Sequence, residues 1–196
     1  VGSRKANSAL YRIYYAGGEN TAEAISAGDP EARKLRALRH RLEDAYHSTD
    51  AASLDLALQN LSHTDRFIRF AARTLLEFRD STQWSPRAIS LTAPQAVVQT
   101  ALALARLEKT EHRETLFEKL NQLDFAKLDS STRLDVIRAM QVVSIRLGDP
   151  EGASREQLLA KLHSAVPSTE IRFNQEASQL LVRWHSPIAA EKVFAL

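Results

Sequence analysis

The stretch Leu54-Asp55-Leu56-Ala57-Leu58-Gln59-Asn60-Leu61-Ser62-His63-Thr64-Asp65-Arg66-Phe67-Ile68-Arg69-Phe70-Ala71-Ala72-Arg73-Thr74-Leu75-Leu76 decides how the chain folds. Leu54, Ala57, Leu58 and Leu61 share one face of a helix, because a helix returns to the same side every three to four residues. His63-Thr64-Asp65 reads as a turn. Ile68, Ala71, Ala72, Leu75 and Leu76 then form a second, broader apolar face, widened by Phe67, Phe70 and Phe78. A helix apolar over so much of its circumference is expected to sit between neighbours. One such hairpin cannot bury both its sides, so hairpins of this kind stack.

The same alternation runs outward in both directions. Leu35, Leu38, Leu42 and Ala45 form a stripe on a helix that starts at Pro30, and Asp50 is placed to cap the next one. Downstream, Pro94 suits the first position of a helix carrying Val97, Val98, Ala101, Leu104 and Ala105. Leu116, Phe117, Leu120 and Leu123 make the next face. Ser130 or Ser131 is expected to cap a long helix that ends at Gly148-Asp149-Pro150, with glycine fitting the position after the helix. Ser154-Arg155-Glu156-Gln157 has the form of a capping box ahead of Leu158, Leu159 and Leu162. Ser168 is expected to open a helix with Ile171, Ala177, Leu180, Leu181 and Trp184, and Ser186-Pro187 a short last one. Within the second helix of each pair a small residue recurs: Ala72, then Ala101, Ala139 and Ala177, the last three 38 residues apart. A period in this range suits helix-pair repeats.

The beginning of the chain reads differently. Leu10-Tyr11-Arg12-Ile13-Tyr14-Tyr15-Ala16 is rich in aromatic and β-branched residues and stops at Gly17-Gly18, the signature of a strand. Either it is a strand-like arm lying on the helices or it is the last strand of a β domain preceding Val1. Residues 1–29 are therefore expected to be an arm and linker, and residues 30–196 a helical repeat domain. The chain does not open with Met, and a fragment or processed form is expected.

Composition narrows the chemistry. The 26 Lys and Arg nearly balance 24 Asp and Glu, so the net charge of +2 is too small to imply nucleic acid and says little about partners. There are no cysteines, which removes disulfides, thiolate metal sites, covalent haem attachment and a thiol nucleophile within these residues. No apolar run reaches the roughly 20 residues a membrane-spanning helix needs. Gly17-Gly18 matches neither dinucleotide nor P-loop spacing. His40, His47, His63, His112, His163 and His185 form no metal-ligating or catalytic pattern, and Asp135 and Glu176 have no partner at acid–base spacing. No cofactor is expected.

With these residues in hand, the hairpin at 50–79 resembles a HEAT repeat: Leu54, Leu58 and Leu61, a short turn, Asp65, then Ile68-Arg69 and Ala71-Ala72. Ile171-Arg172 echoes the apolar–Arg pair. A longer resemblance takes in residues 9–21, His63 to Ala72, the Trp84 segment, Arg133 to Ala139, Arg146-Leu147-Gly148 and Asn174 to Leu181. Together they look like the helical middle part of large multidomain proteins of planctomycetes and verrucomicrobia. In that family a β-propeller similar to sugar dehydrogenases precedes the helices, and a cytochrome c domain can follow. The resemblance implies an all-α solenoid of about four to five antiparallel helix pairs. It also implies export to the periplasm and flanking propeller and cytochrome partners. It carries neither the sugar-dehydrogenase site nor a haem site onto any residue here.

Two groups of side chains stand out as candidates. Asp65, Arg66, Arg69 and Arg73 form a repeat ladder or a polar surface facing a partner. Arg33, Arg36, Arg39 and Arg41, beside Lys34 and His40, spread over the outer face of the first helix, as a solvated surface or an anion contact. Trp84 and Trp184 read as packing anchors near turns. The expected function is that of a non-catalytic scaffold or docking segment for other domains of a larger protein. The alternatives are a nucleic-acid binder using its basic surface and one wall of an active site completed by a neighbouring domain.

Overall fold

The computed structural model describes residues 11–18 and 29–194. Among the described residues it is all-α, with ten helices and no strand: α1 (Pro30–Asp44), α2 (Ala51–Asn60), α3 (Arg66–Glu77), α4 (Ser85–Ser90), α5 (Pro94–Arg106), α6 (Arg113–Gln122), α7 (Ser130–Leu147), α8 (Gly152–Ala165), α9 (Ile171–Arg183) and α10 (Ala189–Phe194). Short 3-10 turns at Ser81–Gln83, Thr110–His112 and Phe125–Lys127 lie between them.

Aspartate caps α1, α2, α3 and α7. Asp29, Asp50 and Asp65 accept hydrogen bonds from the backbone N–H of Glu31, Ala52 and Phe67, and Asp129 does the same for Thr132 at 2.9 Å. Each satisfies a donor that the first helical turn leaves open. The serine expectations need correction. Asp129, not Ser130 or Ser131, caps α7, because its carboxylate reaches both Thr132 N–H and the Thr132 hydroxyl. Ser154 lies inside α8, which starts at Gly152 without a side-chain cap. Ser168 sits ahead of α9, held by a two-way bond with Asn174, whose amide accepts from Ser168 N–H at 2.8 Å and donates to Ser168 C=O at 2.7 Å. At the end of α7 the chain leaves through Gly148 with φ +102°, which disfavours any side chain; a Cβ there would also meet Arg113 Nη1 at 3.1 Å.

No strand forms over residues 11–16 among the described residues, and the reading of them as the last strand of a preceding β domain would need an edge from outside these residues. Residues 11–16 have no regular structure, and Tyr11, Ile13 and Tyr14 are 82%, 96% and 74% exposed. A strand needs an edge to pair with, and no strand exists among the described residues to supply it. Leu10 and most of the expected linker lie outside the described residues.

Packing follows the chain. α3 lies against α1, α2 and α5; α5 against α3, α4, α6 and α7; α7 against α5, α6 and α9; α9 against α7, α8 and α10. Ala72, Ala101, Ala139 and Ala177 are completely buried. So are Leu42, Leu75, Leu104, Leu120 and Leu180, each contributing roughly 1.5–3 kcal/mol by removal from water. Trp84 and Trp184 are at most 1% exposed. The Trp184 indole donates to Ser144 Oγ at 3.0 Å and meets Phe117 edge-on at 5.8 Å. The largest aromatic at the end of α9 thereby ties α9 to α7 and α6.

Candidate functional site

One side of α3 carries Arg66, Arg69, Phe70 and Arg73, spaced i, i+3, i+4 and i+7, while Ile68, Ala72 and Leu75 point into the core. α7 repeats that spacing with Ser131, Leu134, Asp135 and Arg138. Between them α5 contributes Val98, Gln99 and Leu102, and Arg172 comes from α9. These side chains enclose an open groove of about 780 Å³. The broad apolar face expected of α3 is therefore divided. Its aliphatic half is buried, whereas Phe67 and Phe70 are 55% and 56% exposed and line the groove.

The arginines differ in how they are held. Arg73 meets Glu77 at 3.0 Å and Gln99 Oε1 at 3.1 Å, and Arg106 reaches the same glutamate at 2.9 Å. Burial lowers the Arg73 guanidinium from its ordinary value, Glu77 opposes this, and Arg106 adds to it. Arg138 pairs with Glu176 at 3.1 Å. The hydrogen bond from Gln141, then Arg138, holds the Glu176 carboxyl below the usual carboxylate range. Arg69 donates to the carbonyls of His63 and Thr64 at 2.7 and 2.9 Å, which locks the turn before α3 but leaves its charge unmatched. Arg66 lies over the Phe67 ring at 4.7 Å, and Arg73 over Phe70 at 5.1 Å. Among the described residues, neither Arg66 nor Arg172 forms a hydrogen bond or an ion pair. Asp135, the one carboxylate lining the groove, receives Gln95 Nε2 at 3.2 Å.

The structure thus brings three of the four ladder candidates, Arg66, Arg69 and Arg73, to one groove, with Asp65 as the cap of α3 beneath them. It does not bring the other group there. Arg33, Arg36 and Arg41 are exposed on α1, Arg39 pairs with Glu43 at 3.2 Å, and none lines the groove. Arg138 and the exposed phenylalanines were not singled out from sequence. The available signal was the Ile-Arg pair, which stands at 68–69, 137–138, 145–146 and 171–172 and supplies a groove arginine at all of these but 145–146.

The groove holds no histidine, and its one hydroxyl, Ser131, lies one turn of α7 before Asp135 with no hydrogen bond between them among the described residues. Elsewhere, His163 Nε2 lies 2.7 Å from Ser186 Oγ, a pairing 23 residues apart that no motif announces. That hydroxyl also accepts from Ile188 N–H at 3.3 Å, which makes it part of the turn into α10. Burial, then Lys192, lowers the His163 pKa. Among the described residues no group of three or more His, Asp or Glu is placed to hold a metal ion, and no helix is long and apolar enough to cross a membrane. No protein-family model matches the chain, and neither a curated protein nor a solved structure matches it.

Proposed function

We propose that the chain is a HEAT-like α-solenoid of antiparallel helix pairs acting as a non-catalytic docking scaffold, part of a larger exported protein of dehydrogenase–cytochrome type. The observation that carries the solenoid is the recurrence of polar contacts about one repeat apart. Gln95 meets Asp135, Arg138 meets Glu176, Arg183 meets the Ser144 carbonyl, and Lys161 meets the Asn121 carbonyl, at separations of 38 to 40 residues. Other long-range polar contacts span shorter separations, such as 26 residues for Arg73 with Gln99 and 29 for Arg106 with Glu77, but these four are ones that stacked repeats of that period would place side by side. The order of neighbours α1, α3, α5, α7 and α9 points the same way. The docking role is supported by a groove running across four of these helices. It is lined by charges and half-exposed phenylalanines rather than by an acid–base pair. The parent protein's architecture and its export rest on the sequence resemblance alone.

Hydroxyl-radical footprinting tests the docking role. Phe67 and Phe70 should be oxidised readily in the isolated chain and protected in the native protein that contains it. Equal oxidation in both would argue against a docked neighbour on this face.

A further inference from the structure

We propose that the groove across α3, α5, α7 and α9 takes an acidic peptide segment, with its carboxylates on Arg66, Arg69 and Arg172 and its apolar side chains against Phe67, Phe70 and Leu102. The inference rests on the docking reading and specifies the partner's chemistry. Five arginines and one aspartate line the groove. Glu77 and Glu176 neutralise Arg73 and Arg138, leaving three unmatched guanidiniums against Asp135. Arg66 and Arg172 have their full set of donors available among the described residues, and a guanidinium binds a carboxylate through two parallel hydrogen bonds. Val98, Leu102, Leu134 and the two phenylalanines supply apolar surface between the charges, which suits a peptide of mixed acidic and apolar side chains.

A single-stranded nucleic acid fits less well. Base stacking needs open aromatic faces, and guanidiniums already lie over one face of Phe67 and one face of Phe70. Asp135 also interrupts the run of arginines that a continuous phosphate chain would follow, whereas a peptide can place an apolar side chain there.

The test is fluorescence anisotropy on the full chain with three labelled probes: a glutamate–leucine peptide, the same peptide with glutamine for glutamate, and oligothymidine. The acidic peptide should bind saturably, weaken as salt screens it, and weaken at least about tenfold on the double substitution Arg66→Glu/Arg172→Glu. Both arginines are exposed and hold no ion pair among the described residues, so the circular dichroism of the variant should match the parent. Should it not, Arg66→Gln/Arg172→Gln takes its place. Absent saturation, equal binding of the glutamine peptide, unchanged binding by the substituted protein, or tighter binding of oligothymidine would each overturn the proposal. Footprinting protection of Phe67 and Phe70 without affinity for the acidic probe would leave the docking role standing and remove only this partner chemistry.

Discussion

At Ala139 the chain has no room to spare. The residue is completely buried in α7, as its counterparts Ala101 and Ala177 are in α5 and α9. Ala139→Leu should cost about 1–3 kcal/mol through overpacking, read as a lower urea midpoint with an unchanged slope. An equal midpoint would mean that the small residue is incidental. Asp65→Ala should cost about 1 kcal/mol by removing the cap of α3. His163 makes a pH-dependent contribution. Its folded pKa lies below the ordinary imidazole value of 6.5, so the unfolded chain binds the proton more readily. That contribution is fully present above 6.5 and is lost as pH falls through 6.5 toward the folded value. The thermal midpoint should therefore drop as the solution is made mildly acidic, and drop less in His163→Gln. Single residues were legible in sequence where their role is local: Asp50 and Pro94 stand at helix starts as read. The arginines were harder, because whether a guanidinium faces a groove, a carbonyl or a carboxylate depends on helices tens of residues away.

At the scale of elements, one carboxylate joins α7 to α9 through two side chains, beside the bonds that Trp184 and Arg183 make to Ser144. Gln141 Nε2 donates to Glu176 Oε2 at 3.0 Å, and Arg138 reaches Oε1 of the same group. The Glu176 pKa is lowered from 4.5, chiefly by the Gln141 bond, so its stabilising effect is present above that value and disappears as pH falls through the folded one. Glu176→Gln should be less stable than the parent near neutrality and indistinguishable from it in acid, measured as the difference in thermal midpoint. A difference that persisted in acid would place the effect in packing instead. Helix existence was readable wherever apolar spacing of three and four residues runs on for several turns, whereas the six-residue α4 carries too short a run and was missed. Starts were less readable: the capping-box form at Ser154 arises from composition alone, and helix α8 begins two residues earlier at Gly152. The tyrosine-rich arm is a related case. Its residues prefer an extended, half-buried surface, but preference cannot supply the neighbouring strand that would make it a sheet.

For the whole molecule, stacking and bundling make different promises about how stability is shared. In a stack each pair touches only its neighbours, so a defect is felt locally and propagates weakly. In one closed core, a defect lowers the stability of everything at once. Leu180 is completely buried in α9, which contacts α7, α8 and α10 but neither α3 nor α1 to a comparable extent. Leu180→Ala should cost about 2–5 kcal/mol as a buried truncation. If the molecule is a stack, native-state hydrogen exchange at low denaturant will show α8 to α10 losing protection while α1 to α5 keep theirs. Leu104→Ala, in α5 at the middle of the contact order, should instead weaken both flanks, since α5 touches helices on either side of it. Uniform loss of protection in both variants would mean a single cooperative core, and the 38-residue recurrence of contacts would then be only a feature of its geometry. Graded loss would mean that each hairpin is stabilised by the next. A groove built across four helices would then hold its shape only while its neighbours stay stacked, so Leu180→Ala should loosen the Arg172 end before the Arg66 end.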